Sequence, residues 1–251
     1  MYTDLNEIMV NASKNKVKFL TNEKVKYFVS SMLAGLYVGL GILLIFTIGG
    51  LMGTSPATRI LMGISFGIAL SLVVMLGSEL FTGNNMMGFG GFLNKAITLK
   101  ELLSMWLISW TGNFLGAILL AVIYVYSQSG NQKIMDFMIK ASLAKAAPAP
   151  AQLFLRGLLC NILVCLAVMS AAKLKEETAR LIMIFWCLFA FITTGFEHSV
   201  ANMTLLTVGV LAKGLPIAAL VKNMFFVSIG NIAGGSLLAL AYYILRKRGE
   251  R

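Results

Sequence analysis

Long uncharged runs alternate with short polar stretches along this chain, and the runs set its elements. They cover Tyr27–Met52, Ile60–Leu76, Leu102–Tyr126, Leu153–Ala172 (with Arg156 as its one charge), Leu181–Phe196 continued by Val200–Leu211, and Asn223–Leu245. A helix needs about 20 mainly apolar residues to cross the hydrocarbon of a bilayer, so the pattern predicts six crossings. The runs are too long, and alternate too little, for the strands of a membrane barrel. Ahead of them, Leu5, Ile8, Met9, Ala12, Phe19 and Leu20 stand near helical spacing with lysines between. That predicts an amphipathic helix at the membrane surface, its lysines among anionic headgroups. Asp4, Asn6 and Glu7 occupy the place where a signal peptide would need its apolar core.

The second and fifth runs are followed or split by polar residues that match each other. "GSELFTGNNM" at Gly77–Met86 faces "GFEHSVANM" at Gly195–Met203, and "TGNFLGA" at Thr111–Ala117 faces "IGNIAGG" at Ile229–Gly235. Glu79 and Glu197, Asn84 and Asn202, Gly112 and Gly230, Asn113 and Asn231, and Gly116 and Gly234 are each 118 residues apart. Two repeats of three crossings follow. Three is odd, so the second copy enters the membrane from the opposite face, an inverted-topology repeat. The chain is thus expected to hold an amphipathic helix (1–26), a first three-helix repeat (27–126), a linker (127–152), a second repeat (153–245) and a basic tail (246–251). The linker carries Pro148 and Pro150, where a helix cannot continue.

Irregular backbone at membrane depth is tolerated only where it is buried or lines a cavity. The breaks at Gly77–Asn85 and Gly195–Asn202 are therefore the expected site, near the midplane. An Asn precedes each renewed apolar run, which suits the N-cap of a half-helix. Two half-helix N-termini, each partially positive, would then face the middle from opposite sides and favour an anion.

Composition agrees. Of 251 residues, 58% are hydrophobic and 12% charged, half the roughly 25% of a soluble domain. The net charge of +11 is explained by orientation. One side would carry fourteen lysines and arginines, in the N-terminus, the 93–101 and 173–180 loops and the C-terminus. The other would carry six: Arg59, Lys133, Lys140, Lys145, Lys213 and Lys222. The positive-inside rule then places both termini in the cytoplasm, and nothing beyond charge speaks for nucleic acid. Cys160, Cys165 and Cys187 are odd in number, lie in apolar runs and lack metal spacing. The sequence implies no metal or cofactor.

His198 is the chain's only histidine. An ionisable group inside a membrane is costly and by default functional, so it is the first pore candidate. Glu79 and Glu197 are duplicated, and the expectation is that each ties down backbone N–H groups of its own broken helix. Asn113 and Asn231 belong to Gly-Asn-x-x-Gly patterns and are read as helix packing. Thr82, Ser199, Lys145, Leu70, Leu80, Phe81 and Phe191 are not specific on their own.

Taken together, "LFTGNNM" at Leu80–Met86, "GFEHSVANM" and "GNIAGG" at Gly230–Gly235 resemble the formate/nitrite transporter family over the whole chain. Gly83-Asn84-Asn85 after Thr82 is most like the bacterial hydrosulfide-channel branch. The resemblance implies an all-α, aquaporin-like fold of six helices with the second and fifth broken, although the chain lacks an Asn-Pro-Ala motif. It also implies a homopentamer, with a pore in each protomer, in the cytoplasmic membrane of a bacterium. The substrates would be small monovalent anions: hydrosulfide first, also formate or nitrite. Thr82 and His198 would face the anion, with Asn202 and Ser199 beside them. Leu70, Leu80, Phe81 and Phe191 would form two apolar constrictions, and Lys145 would draw anions in. Glu79, Glu197 and Asn84 would support the loops.

An apolar constriction is an expensive place for a bare anion, since little there replaces its water. Weak-acid anions escape that cost when protonated. The expected mechanism is therefore concentration at a basic vestibule, hydrogen bonding by Thr82 and His198, and a proton shared or transferred during passage. Proton-coupled secondary transport of formate or nitrite is the alternative. A membrane enzyme would need a convergent acid/base set, which one histidine and two structural carboxylates do not make.

Overall fold

The structure, a computed structural model, describes residues 2–246. The basic tail expected at 246–251 lies, beyond Arg246, outside the described residues. Among the described residues all regular structure is helical. An N-terminal helix, α1 (Tyr2–Asn22), leads into α2 (Lys24–Met52). Next come α3 (Thr58–Ser65) and α4 (Gly67–Met75), nearly continuous through Phe66, then α5 (Phe81–Leu93) and α6 (Leu99–Ser127). The second half runs α7 (Gln132–Ala146), α8 (Pro150–Lys173), α9 (Glu177–Thr194), α10 (Ser199–Leu211) and α11 (Ile217–Ile244). Six helices, with α3 and α4 taken together, are long and apolar enough to cross a membrane. The half-helices α5 and α10 have 13 residues each, about 20 Å, and cannot cross alone.

The chain folds into an all-α membrane bundle, and its two halves use the same devices. The breaks open at Gly77 (φ 68°) and Gly195 (φ 80°), where a left-handed backbone ends one helix before the next begins. Where α6 crosses α2, a Cβ on Gly116 would sit 2.0 Å from the Met32 carbonyl oxygen. Where α11 crosses α8, one on Gly234 would sit 2.3 Å from that of Leu158. Small residues let these backbones meet. Trp110 and Ser228 are 118 residues apart, and the indole N–H of one donates to the hydroxyl of the other at 2.9 Å. Equivalent residues that touch lie on the two-fold axis relating the halves, so the axis passes here.

Two expectations change. The 118-residue spacing does not hold in the first crossing of each half. Asn113 bonds Ser31 at a separation of 82, whereas its equivalent Asn231 bonds Gly157 at 74. The first half therefore has eight more residues between its first crossing and its break. The linker, moreover, contains α7, the counterpart of α1. The buried stripe of α1 runs through Leu5, Met9, Ser13 and Val17, and that of α7 through Ile134, Met138, Ser142 and Ala146. Each pair is 129 residues apart. Both stripes pack on half-helices at equivalent glycines, Gly91 against Ser13 and Gly209 against Ser142. Pro148 lies in the short gap and Pro150 opens α8 at its first turn.

Candidate functional site

The two breaks are held open by the same hydrogen bonds. Asn113 on α6 accepts from the Phe81 N–H at 2.9 Å and donates to the carbonyls of Ser31 (2.7 Å) and Glu79 (2.9 Å). Asn231 on α11 accepts from the Ser199 N–H at 2.9 Å and donates to the carbonyls of Gly157 (2.8 Å) and Glu197 (3.0 Å). Each amide thus supplies partners for a backbone that has left its helix, which is the requirement inside a membrane. Read from sequence as packing, these two asparagines are the latches of the loops.

Asn84 and Asn202 are not N-caps. The caps are Leu80 and His198, and both asparagines lie one turn inside their half-helices. From there they bond the carboxylates. Asn84 donates to Glu79 at 3.1 Å and Asn202 to Glu197 at 2.6 Å. The carboxylates take no bond from the backbone of their own breaks; each takes a lysine from a surface helix instead. Lys16 on α1 reaches Glu79 at 2.8 Å, and Lys145 on α7 reaches Glu197 at 3.0 Å. A Lys–Glu–Asn set therefore braces each break, and the amphipathic helices exist in part to bring the lysines.

Glu197→Ala is accordingly expected to cost roughly 2–3 kcal/mol of stability. This is less than the 3–5 kcal/mol for breaking a fully buried pair, because 24% of the Lys145 side chain is exposed. Thermal unfolding of the oligomer in detergent reads this. Unchanged stability with an altered pH profile of transport would make Glu197 a proton carrier instead.

Between the breaks, Thr82 and His198 meet. The Thr82 hydroxyl lies 3.0 Å from His198 Nε2, and both residues are buried. Nδ1 accepts the Ala201 backbone N–H at 3.0 Å, so it bears the lone pair and the ring hydrogen sits on Nε2. The imidazole therefore donates to the threonine. Phe191 stacks on it, ring centroids 5.8 Å apart.

Three cavities follow one another past His198, joined by shared lining residues. An outer one, about 380 Å³, is lined by Lys145, Glu197, Asn202, His198 and Phe191 among others. A small chamber of about 10 Å³ lies between Leu70, Leu80, Phe66, Leu188, Phe191 and His198, at the lower limit for one water. A third cavity, about 250 Å³, is lined by Lys16, Glu79, Leu80 and Asn84. Phe191 and His198 are shared by the first two and Leu80 by the last two, so these side chains are the partitions. Thr82, Phe81 and Ser199 line none of the three. All are buried, and the Ser199 hydroxyl has no partner.

Arg59 and Arg156 also line the outer cavity, and sequence reading passed over them. Asn161 on α8, likewise unmarked, donates to the Thr82 carbonyl at 3.2 Å and to that of Asn231 at 2.6 Å. It ties the threonine's backbone to the latch of the other break.

Residues 3–245 match the Formate/nitrite transporter family profile. The chain is 40% identical to the nitrite transporter NirC of Salmonella typhimurium over all of this chain and 94% of that one. It is 34% identical to a probable formate transporter of Methanothermobacter thermautotrophicus, over 87% of each. Among solved structures, an FNT family ion channel superposes with a TM-score of 0.91 at 35% identity, covering 98% of this chain and 100% of that one. A pentameric formate channel with formate bound gives 0.75 at 28% identity, covering 88% and 96%.

Proposed function

The chain belongs to the formate/nitrite transporter family, and on that premise we propose that it is a channel for small monovalent anions of weak acids. It is a transport protein, not an enzyme, and spans a bacterial inner membrane as a homopentamer with both termini in the cytoplasm. Nitrite takes first place among the substrates, ahead of formate and hydrosulfide. Gly83-Asn84-Asn85 inclines the sequence toward hydrosulfide, but relatives 39–40% identical over the whole chain are named nitrite transporters.

One observation carries the reading: His198, hydrogen-bonded to Thr82, stands at a partition of an apolar passage with a cavity on either side. The pair offers an anion the Thr82 hydroxyl hydrogen, which the imidazole bond leaves free, and the Nε2–H as well once the anion replaces the Thr82 oxygen as its acceptor. Handing over a proton is harder from this geometry. His198 would first need a second proton on Nδ1, which breaks the Ala201 bond and sets a cation at the positive end of α10. We therefore assign His198 to hydrogen bonding, with the anion taking its proton from vestibule water before it passes the apolar partitions.

The test is flux into proteoliposomes of nitrite, formate, hydrosulfide, acetate and chloride across pH 5–8. The first three should pass, faster as pH falls, and chloride should not. Chloride passing at the rate of nitrite would overturn the reading. Accumulation of substrate against its gradient, in step with protons, would replace the channel by a transporter.

A further inference from the structure

The two vestibules occupy equivalent places in the inverted repeat, yet their charges differ. Facing the termini, the lining residues include one cation and one carboxylate, Lys16 and Glu79, bound to each other. On the opposite face the same pair is present as Lys145 and Glu197, and Arg59 and Arg156 are added.

The internal symmetry shows that these are departures. The Glu79 N–H donates to the Ser30 carbonyl, and the Glu197 N–H to the Arg156 carbonyl. Arg156 therefore stands where the first half has Ser30. Arg59 lies in the first turn of α3, whereas α9, the matching crossing of the second half, opens with Glu177. Among the described residues neither guanidinium has an acidic partner or an acceptor. Arg59 Nη1 lies 3.9 Å from the place a Gly195 Cβ would take, beside the second break.

Resting on the channel reading, we propose that Arg59 and Arg156 form an anion-capture site in the outer vestibule, selective for planar anions with two oxygens such as nitrite and formate. A guanidinium presents parallel N–H donors that match two oxygens at once, a geometry that an anion with a single acceptor atom, such as hydrosulfide, cannot satisfy. The walls carry Ile42, Ile45, Phe46, Met62, Phe137 and Ile192. Low-dielectric walls focus the field of unneutralised charges and raise the local anion concentration. Lys145, half spent on Glu197, lies deeper, so the arginines meet the anion first. The site adds affinity at one mouth only, beyond the Thr82–His198 pair that all permeating anions pass.

The experiment compares the full chain with R59Q/R156Q and R59K/R156K in proteoliposomes, measuring initial flux against concentration for nitrite, formate and hydrosulfide. Both side chains are exposed and unpartnered, so each variant should elute and melt as the wild type does. R59Q/R156Q should raise the half-saturating concentration of nitrite and formate about tenfold, the lower end of the effect of a focusing vestibule. For hydrosulfide the rise should be smaller. R59K/R156K, which keeps charge but loses the fork, should restore hydrosulfide and leave the oxoanions impaired. Wild-type half-saturation for nitrite and formate in R59Q/R156Q would overturn the proposal. So would equal loss for all three anions that lysine fully repairs, since that is charge without recognition. Wild-type protein passing none of the three would sink the channel reading, and this proposal with it.

Discussion

Asn231→Leu is expected to give a chain that inserts but does not hold its fold, with an oligomer that melts about 10 °C or more below the wild type. Leucine has nearly the shape of asparagine and none of its polarity. The substitution strands the Ser199 N–H and the carbonyls of Gly157 and Glu197. Each buried group left unpaired costs about 1–3 kcal/mol, and roughly 3–9 kcal/mol for the three is a large share of ordinary stability. For a chain of this size each kilocalorie is worth about 2–4 °C. Asn113→Leu should behave alike, since it strands the same three groups around the first break. Asn85→Leu is the control. Asn85 is equally buried, but neither atom of its amide has a partner, so its removal should be neutral or stabilising. Gel filtration after graded heating in detergent compares the three. Equal loss in Asn85→Leu would mean that the effect is one of packing, and the latch reading would fall.

Much of this architecture is legible in the residues. The six crossings follow from uncharged length alone, because a bilayer admits little else. The breaks were visible because a buried break needs polar groups, and Glu79 and Glu197 appear twice at one spacing. The rest was hidden for identifiable reasons. The latch partners are backbone carbonyls of Ser31 and Gly157, and a carbonyl leaves no mark on residue type, so the shorter spacing in the first crossings did not show. Asn84 and Asn202 looked like caps because they precede apolar runs. The helices start earlier because the Phe81 and Ser199 N–H groups find their acceptors on α6 and α11, where no local rule looks. Helix α7 was missed although its stripe, Ile134, Met138, Ser142 and Ala146, recurs every four residues. Two prolines close the stretch like a linker, and its likeness to α1 lies at a spacing of 129 residues, not 118. Arg59 and Arg156 look in sequence like a loop cation and a stray charge in a span. Only the cavity they share gives them a role.

Replacing His198 by phenylalanine should reduce weak-acid flux about 100-fold while leaving the oligomer assembled. The ring removes the Nε2–H that meets Thr82 and the passing anion, and closes the partition between the outer vestibule and the chamber with a second aromatic beside Phe191. Losing a donor to a charged group costs about 1.5–3 kcal/mol, and about 1.4 kcal/mol is a factor of ten in rate. The same change also strips the Ala201 N–H of its acceptor, so assembly must be checked by elution. His198→Asn separates the possible roles. An asparagine there can cap the Ala201 N–H with its oxygen and still donate from its nitrogen, but it cannot titrate near neutral pH. If His198 acts by hydrogen bonding, His198→Asn keeps flux within about tenfold of the wild type. It also keeps the rise of flux with falling pH, which then belongs to the weak acid and vestibule water. Sequence alone pointed the other way, to an imidazole that trades protons with the anion. That reading expects His198→Asn to lose the pH dependence and admit chloride. Nitrite and chloride flux for both variants from pH 5 to 8 decides the matter: a flat pH profile in His198→Asn would show that the proton passes through the imidazole.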